Sequence, residues 1–157
     1  MTVVLRPYHP EDFDRICEIR GLDTPERRER FLNRLEKPGE WFEHYLHLAI
    51  ESDGALVGDL QFRHCDYTTP NGAWDMGLEL AEDARGKGIG TQALKSGADY
   101  AFANGAHRIQ GSTDEANIAM RRAFEKAGWK FEGVLRALFI EDGNPRDYFS
   151  FAITKFD

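Results

Sequence analysis

The stretch Trp74–Thr91, WDMGLELAEDARGKGIGT, passes from one backbone periodicity to another. Up to Leu80 it alternates: Trp74, Met76, Leu78 and Leu80 point to one side of an extended chain, and Asp75, Gly77 and Glu79 to the other. Two carboxylates therefore share one face of a strand. From Thr91 to Asn104 the apolar residues Leu94, Ala98, Ala101 and Phe102 recur at helical spacing, which predicts a helix closed by Gly105. Between strand and helix lie Gly86, Gly88 and Gly90. Glycine at alternate positions lets successive amide N–H groups turn inward, and the helix that follows adds the partial positive charge of its N-terminus. Such a turn suits a diphosphate, with Arg85 and Lys87 supplying fixed charge at its rim.

Two other phosphate loops are excluded by spacing. A Walker loop needs Ser or Thr after Gly-Lys, where this chain has Gly88; a dinucleotide fingerprint starting at Gly86 needs glycine where Thr91 stands.

Outward from this stretch the pattern is mixed α and β. Towards the N-terminus, Val3 to Leu5 reads as a strand and Phe13, Ile16 and Ile19 as a helix. A second helix starts at Thr24, a capping residue, followed by Pro25; it carries Phe31, Leu32 and Leu35 and is stopped by Pro38-Gly39. Leu46, Leu48 and Ile50 alternate with polar neighbours, Asp53-Gly54 supplies a hairpin turn, and Leu56, Leu60 and Phe62 alternate again with Asp59, Gln61 and Arg63. Towards the C-terminus a short strand around Ile109 precedes a helix from Asn117 to Ala127, which buries Met120, Ala123, Phe124 and Ala127 and ends before Gly128. Two aromatic strands, Phe131 to Ile140 and Tyr148 to Ile153, are joined through Asp142-Gly143-Asn144. The order is β-α-α-β-β-β-α-β-α-β-β.

The chain has 157 residues, of which 41% are hydrophobic, enough for one domain over 1–157 with its own core. Lys and Arg number 20 against 27 Asp and Glu, a formal charge of -7, the wrong sign for a polyanionic backbone, so nucleic acid is not expected as a partner. Cys17 and Cys65 stand far apart in no metal or redox spacing, and no apolar run approaches the ~18 residues of a membrane span; a cytoplasmic protein without a membrane partner is expected. The five histidines, His9, His44, His47, His64 and His107, show no ligand spacing, and no metal is expected; His44 and His47 read as lying on opposite faces of a strand.

Arg85, Gly88 and Gly90 satisfy the R/Q-x-x-G-x-G/A loop of the GNAT acyltransferases, and Asn117 to Arg136, NIAMRRAFEKAGWKFEGVLR, resembles the family's N-x-x-(A/S)-x-x-x-(Y/L)-E-K-x-G-F segment. Its E-G-x-x-R ending is similar to that of RimJ/RimL-like ribosomal-protein alanine acetyltransferases. The resemblance implies an α/β fold of the α+β kind: a mixed, mostly antiparallel sheet of six to seven strands flanked by about four helices. It implies acetyl-coenzyme A as co-substrate, a primary amine as acceptor, either a small molecule or a protein N-terminus, and admits a homodimer. The diphosphate would lie on Arg85, Gly86, Lys87, Gly88, Ile89, Gly90 and Thr91, and the pantetheine arm beside Leu78 and Leu80, with Asn117, Arg122 and Phe124 completing the cofactor site. The backbone amide at Leu80 would face the acetyl carbonyl, where negative charge develops. Asn117 also reads as a helix cap, a compatible role.

Direct attack by an amine requires its uncharged form, so a base must take a proton near neutrality. Asp75 and Glu79 are the candidates, as base or as binder of a cationic substrate, with a water as the other route. Where many family members place a proton-donating tyrosine this chain has Phe124, and where RimL-like members place serine it has Met120. Either the thiolate leaves without a dedicated acid, or a water serves, or the chain is a non-catalytic acyl-coenzyme A-binding module. Trp41, Phe42, Trp74 and Phe139 are candidate walls of an acceptor pocket.

Overall fold

The computed structural model describes all 157 residues. Eleven elements follow one another: β1 (Val3–Arg6), α1 (Phe13–Ile19), α2 (Pro25–Asn33), β2 (Tyr45–Ser52), β3 (Ala55–Arg63), β4 (Ala73–Leu80), α3 (Ile89–Ala103), β5 (Arg108–Asp114), α4 (Ile118–Lys126), β6 (Lys130–Glu141) and β7 (Asn144–Thr154). This is the order predicted from the sequence. The strands form one seven-stranded sheet ordered β1-β2-β3-β4-β5-β7-β6, antiparallel throughout except for the β4–β5 pair.

Local chemistry explains the boundaries. The Thr24 side chain accepts a hydrogen bond from the Arg27 amide and Pro25 opens α2, as expected. Asp53 and Gly54 both take positive φ, 49° and 86°, the two-residue turn that matches strand twist. Asp142 and Gly143 do the same at 49° and 77°, so this second turn has two residues rather than three; Asn144 already pairs with Glu141. The third helix begins at Ile89, two residues earlier than expected, because Gly88 adopts φ 82° and serves as its N-cap. β2 begins at Tyr45, which leaves His44 exposed in the turn before it while His47 is buried within the strand.

The sheet is covered on both faces. On one, Leu48, Leu60, Phe62, Met76, Ile109 and Phe151 pack against Ala93, Leu94 and Ala101 of α3 and Phe124 of α4, forming the larger core. On the other, Ile16, Cys17, Phe31 and Leu35 gather with Tyr8 over Ala49 in a smaller one. Gly97 marks the closest approach of α3: a Cβ there would lie 2.7 Å from Met76 Sδ and 2.9 Å from Leu60 Cδ1.

The position of the site depends on a splay. β3 holds β4 along its length from Asp75 to Leu80, but β5 pairs with β4 only from Ala73↔Arg108 to Asp75↔Gln110. Beyond that the two parallel strands diverge. Gly111 sits at the divergence, where a Cβ would come within 2.8 Å of the Met76 carbonyl oxygen. The Ala81 amide donates to Val57 across the β3 side at 2.8 Å; alternation therefore turns the peptide groups of Leu80 and Leu78 away from β3 and into the gap.

Candidate functional site

A cavity of about 560 Å³ opens where β4 ends, between the glycine turn and α4. Leu78, Glu79 and Leu80 of β4 form one wall, Arg85, Gly86, Gly88, Gly90 and Thr91 the turn, and Asn117, Ala119, Met120, Arg122, Ala123 and Lys126 the wall contributed by α4. Three cationic side chains line it, Arg85, Arg122 and Lys126, against the single carboxylate of Glu79. In a chain of net charge -7 this is a local reversal of sign, and it favours an anionic ligand.

The turn adds donors. The α3 ladder opens with the Gln92 amide donating to the Gly88 carbonyl at 3.2 Å, so the amides of Ile89, Gly90 and Thr91 have no carbonyl one turn back to bind. They converge with the helix dipole on the cavity end. A Cβ on Gly90 would meet only Leu80 Cδ1 at 3.8 Å, so that glycine leaves room for a ligand rather than for packing. On the β4 wall the Arg85 guanidinium donates to the Leu80 carbonyl at 3.3 Å, one of the peptide groups that β5 leaves unpaired. The residues present thus fit a diphosphate at the turn and an extended, amide-bearing chain in the gap.

Of the fourteen residues assigned to the site from the sequence, ten line this cavity: Leu78, Glu79, Leu80, Arg85, Gly86, Gly88, Gly90, Thr91, Asn117 and Arg122. The others lie elsewhere. Lys87 is exposed outside the lining, and the Ile89 side chain is buried in the core. Phe124 is also in the core, stacked on Phe151 with ring centroids 4.8 Å apart. Asp75 sits back where β4 and β5 still pair, accepting from Gln110 Nε2 at 3.0 Å. The Asn117 side chain accepts from the Met120 amide at 3.1 Å, the cap expected of it, while the residue also borders the cavity.

Met120 and Ala123, placed in the core by the helical pattern, are half-buried: they pack against the larger core and also form part of the cavity wall. Ala119, Arg122, Ala123 and Lys126 form a stripe at i, i+3, i+4 and i+7, a spacing that could have identified the α4 wall from the sequence. Among the candidate acceptor walls, Trp41 and Trp74 meet edge to face at 5.1 Å, away from this cavity, around a smaller pocket of about 280 Å³ with Glu43, His44, His64 and Asp66.

Glu79 is the titratable group at the cavity whose acidity is displaced. Burial pushes its carboxyl up from the ordinary value, Arg20 pulls it down, Asp59 pushes it up and Arg85 pulls it down, with burial the largest influence. A raised carboxyl binds a proton more readily near neutrality, which is what a base needs.

A splayed parallel pair, an amide-lined turn and a cationic cavity define a class of coenzyme A-dependent acyltransferases, and the comparisons with known proteins agree. Residues 2–130 match the family model described as an acetyltransferase (GNAT) domain, and the chain belongs to the GNAT family of N-acetyltransferases. It is 30% identical over 128 residues to the probable N-acetyltransferase YjcK of Bacillus subtilis (strain 168), covering 79% of this chain and 70% of that protein. It is 30% identical over 106 residues to the streptothricin acetyltransferase of Streptomyces lavendulae, covering 64% of this chain and 52% of that one. Among solved structures, Mycobacterium smegmatis RimJ in complex with coenzyme A-disulfide superposes with a TM-score of 0.78 at 25% identity, over 98% of this chain and 82% of the other. A Bacillus anthracis acetyltransferase of the GNAT family superposes with a TM-score of 0.82 at 19% identity, over 100% and 97% of the two chains, a likeness of fold.

Proposed function

We propose that the chain, as one domain over 1–157, transfers an acetyl group from acetyl-coenzyme A to a primary amine by direct attack, with both substrates bound together. The observation that carries this reading is the cavity itself: free amides and three cations at one end, unpaired β4 peptide groups along one wall, and a carboxylate of raised basicity beside them. The turn from Arg85 to Thr91 holds the diphosphate, Leu78 and Leu80 offer backbone partners to the pantetheine arm, and Asn117 and Arg122 border it from α4. The bound co-substrate supplies an activated thioester. Leu80 presents its amide where negative charge grows on the acyl oxygen, and Glu79 takes the proton of the incoming ammonium, directly or through a water. Asp75, tied to Gln110, has the lesser claim to that role.

No hydroxyl stands at Phe124 or Met120, so a water or the medium protonates the departing thiolate, whose modest basicity permits it. The acceptor is a small amine or a protein N-terminus; similarity to streptothricin acetyltransferase supports the first and to RimJ the second. Cys17 and Cys65 are unpaired and no helix is long and apolar enough to cross a membrane, which supports a cytoplasmic site of action. A second copy of the chain is the expected partner.

Thiol release from acetyl-coenzyme A, measured against a panel of polyamines, aminoglycosides and peptides beginning with Ala or Ser, tests the reading. Glu79→Gln is expected to lower kcat by ~100-fold or more and leave coenzyme A affinity within about twofold. Calorimetric binding of acetyl-coenzyme A without turnover on any amine would leave a non-catalytic binding module as the function.

A further inference from the structure

Next to Glu79, on the sheet face covered by α1 and α2, lies a buried polar cluster that none of the sequence motifs covers. Asp59 of β3 is 1% exposed and stands directly opposite Glu79 in the β3–β4 register. Its carboxylate accepts from the Tyr8 hydroxyl at 2.7 Å and from Arg20 Nη1 at 2.9 Å, and it faces His47 Nδ1 at 3.0 Å. The same Arg20 Nη1 lies 3.6 Å from Glu79 Oε2. Arg20 caps the C-terminal end of α1, and its guanidinium sits 4.6 Å over the Phe31 ring. Its Nε is buried with no partner, so the side chain is placed by charge and packing rather than by a full set of hydrogen bonds.

We propose that Arg20 is a positioning residue that fixes the Glu79 carboxylate at the cavity, and that Asp59, by drawing the guanidinium to itself, keeps Glu79 basic enough to accept a proton. The catalytic half of this rests on the reading of Glu79 as the base. One cation is shared between two carboxylates, and the closer contact, 2.9 Å against 3.6 Å, belongs to the one with no access to the cavity. An arginine facing Glu79 alone would favour its ionised form and weaken it as a base. The charged groups that face Glu79 are Arg20 at the end of α1, Asp59 from β3 and Arg85 from the turn after β4; Tyr8 and His47 face Asp59 in turn. Burial, and then Asp59, hold the Tyr8 phenol far above its ordinary value, so it serves the cluster as a donor.

Two substitutions should therefore move Glu79 in opposite directions. Asp59→Asn keeps the shape and removes the competing charge, leaving Arg20 to Glu79, whose titration midpoint falls. Arg20→Gln removes the cation, and the midpoint rises. Each displacement should be about half a pH unit or more. The readout is the side-chain carboxyl carbon of Glu79 in glutamate-labelled protein, assigned with Glu79→Gln and followed by NMR across pH without substrate. The acidic limb of kcat/KM is measured beside it. A role confined to folding would lower melting temperatures without opposed displacements.

Should Asp59→Asn fail to fold, Arg20→Lys against Arg20→Gln decides the matter, since the lysine variant keeps the charge and should hold the midpoint near wild type while glutamine raises it. An Arg20→Gln midpoint equal to wild type overturns the proposal. Displaced midpoints together with an acidic limb that survives in Glu79→Gln uphold the positioning of Glu79 and remove its role as base.

Discussion

Asp12 carries the most direct link between one residue and the pH dependence of stability. Arg6 grips it with Nη1 at 2.8 Å and Nη2 at 3.1 Å, and the His9 amide donates to it at 2.8 Å. The Arg6 hydrogen bond, ahead of the His9 amide, holds the Asp12 carboxyl below its ordinary value. A depressed folded-state value means the stabilisation is complete above the ordinary carboxylate range of about 4 and is lost as pH falls through the depressed value. Asp12→Asn should therefore cost about 2 kcal/mol at pH 7, and the gap to wild type should close on acidification below pH ~4. Urea denaturation at a series of pH values measures this; a gap of constant size would rule out the charge as its source. The sequence marked Glu79 by strand alternation but passed over Asp59, because period-two spacing says which residues share a face and not which face is wet. A clue was present one strand away: Leu46-His-Leu-Ala-Ile50 carries no Asp, Glu, Lys or Arg at either parity, the composition of a strand covered on both sides, and Asp59 pairs with Ala49 within it. Arg20 was out of reach, since nothing local tells a helix-terminal arginine that it will lie over a sheet.

Helix α3 shows two uses of glycine within one element. At Gly90 an added methyl group would meet only Leu80 Cδ1 at ordinary contact distance, and alanine is the better helix former by ~1 kcal/mol. At Gly97 the same methyl group would press on Met76 and Leu60, both buried without slack. Gly97→Ala should lower stability by about 1–3 kcal/mol through overpacking. Gly90→Ala should keep or raise the melting temperature while weakening acetyl-coenzyme A binding by ~10-fold or more, because the methyl group occupies the space over the free amides. Scanning calorimetry and titration calorimetry separate the two, and unaltered affinity in Gly90→Ala would move the diphosphate off this turn. The order of elements was legible because each carries its own punctuation: Thr24-Pro25, Asp53-Gly54 and Asp142-Gly143 are chemical starts and stops. The splay of β4 from β5 was not legible from local pattern. It is a loss of pairing between strands more than thirty residues apart, marked in the chain only by Gly111; the family resemblance pointed towards it only by setting the pantetheine arm beside Leu78 and Leu80.

Across the whole molecule, apolar surface is distributed unevenly. β6 is the outer strand of the sheet, and Phe131, Val134, Leu135, Leu138, Phe139 and Ile140 along it are between 39% and 67% exposed. The register with β7 places Leu135 and Phe139 on one face of the hairpin with Tyr148, and Phe131 and Val134 on the other with Phe149, so no single neighbouring helix could cover both. Six large apolar side chains left open along one edge strand, on both of its faces, are the kind of surface that marks an interaction site. Of the acidic residues on this hairpin, Glu132 is paired with Arg108 and Glu141 lies 3.9 Å from Arg146. We propose that a second copy, apposing the same hairpin about a two-fold axis, would match this surface with itself and cap the free edge of β6. Sedimentation equilibrium at micromolar concentration should give twice the chain mass of 17.9 kDa. Phe139→Asp with Ile140→Asp should return the single-chain mass while the circular dichroism spectrum stays native, because neither side chain belongs to either core. A wild-type chain that sediments as a monomer at ~100 μM would leave this hairpin without the partner assigned to it.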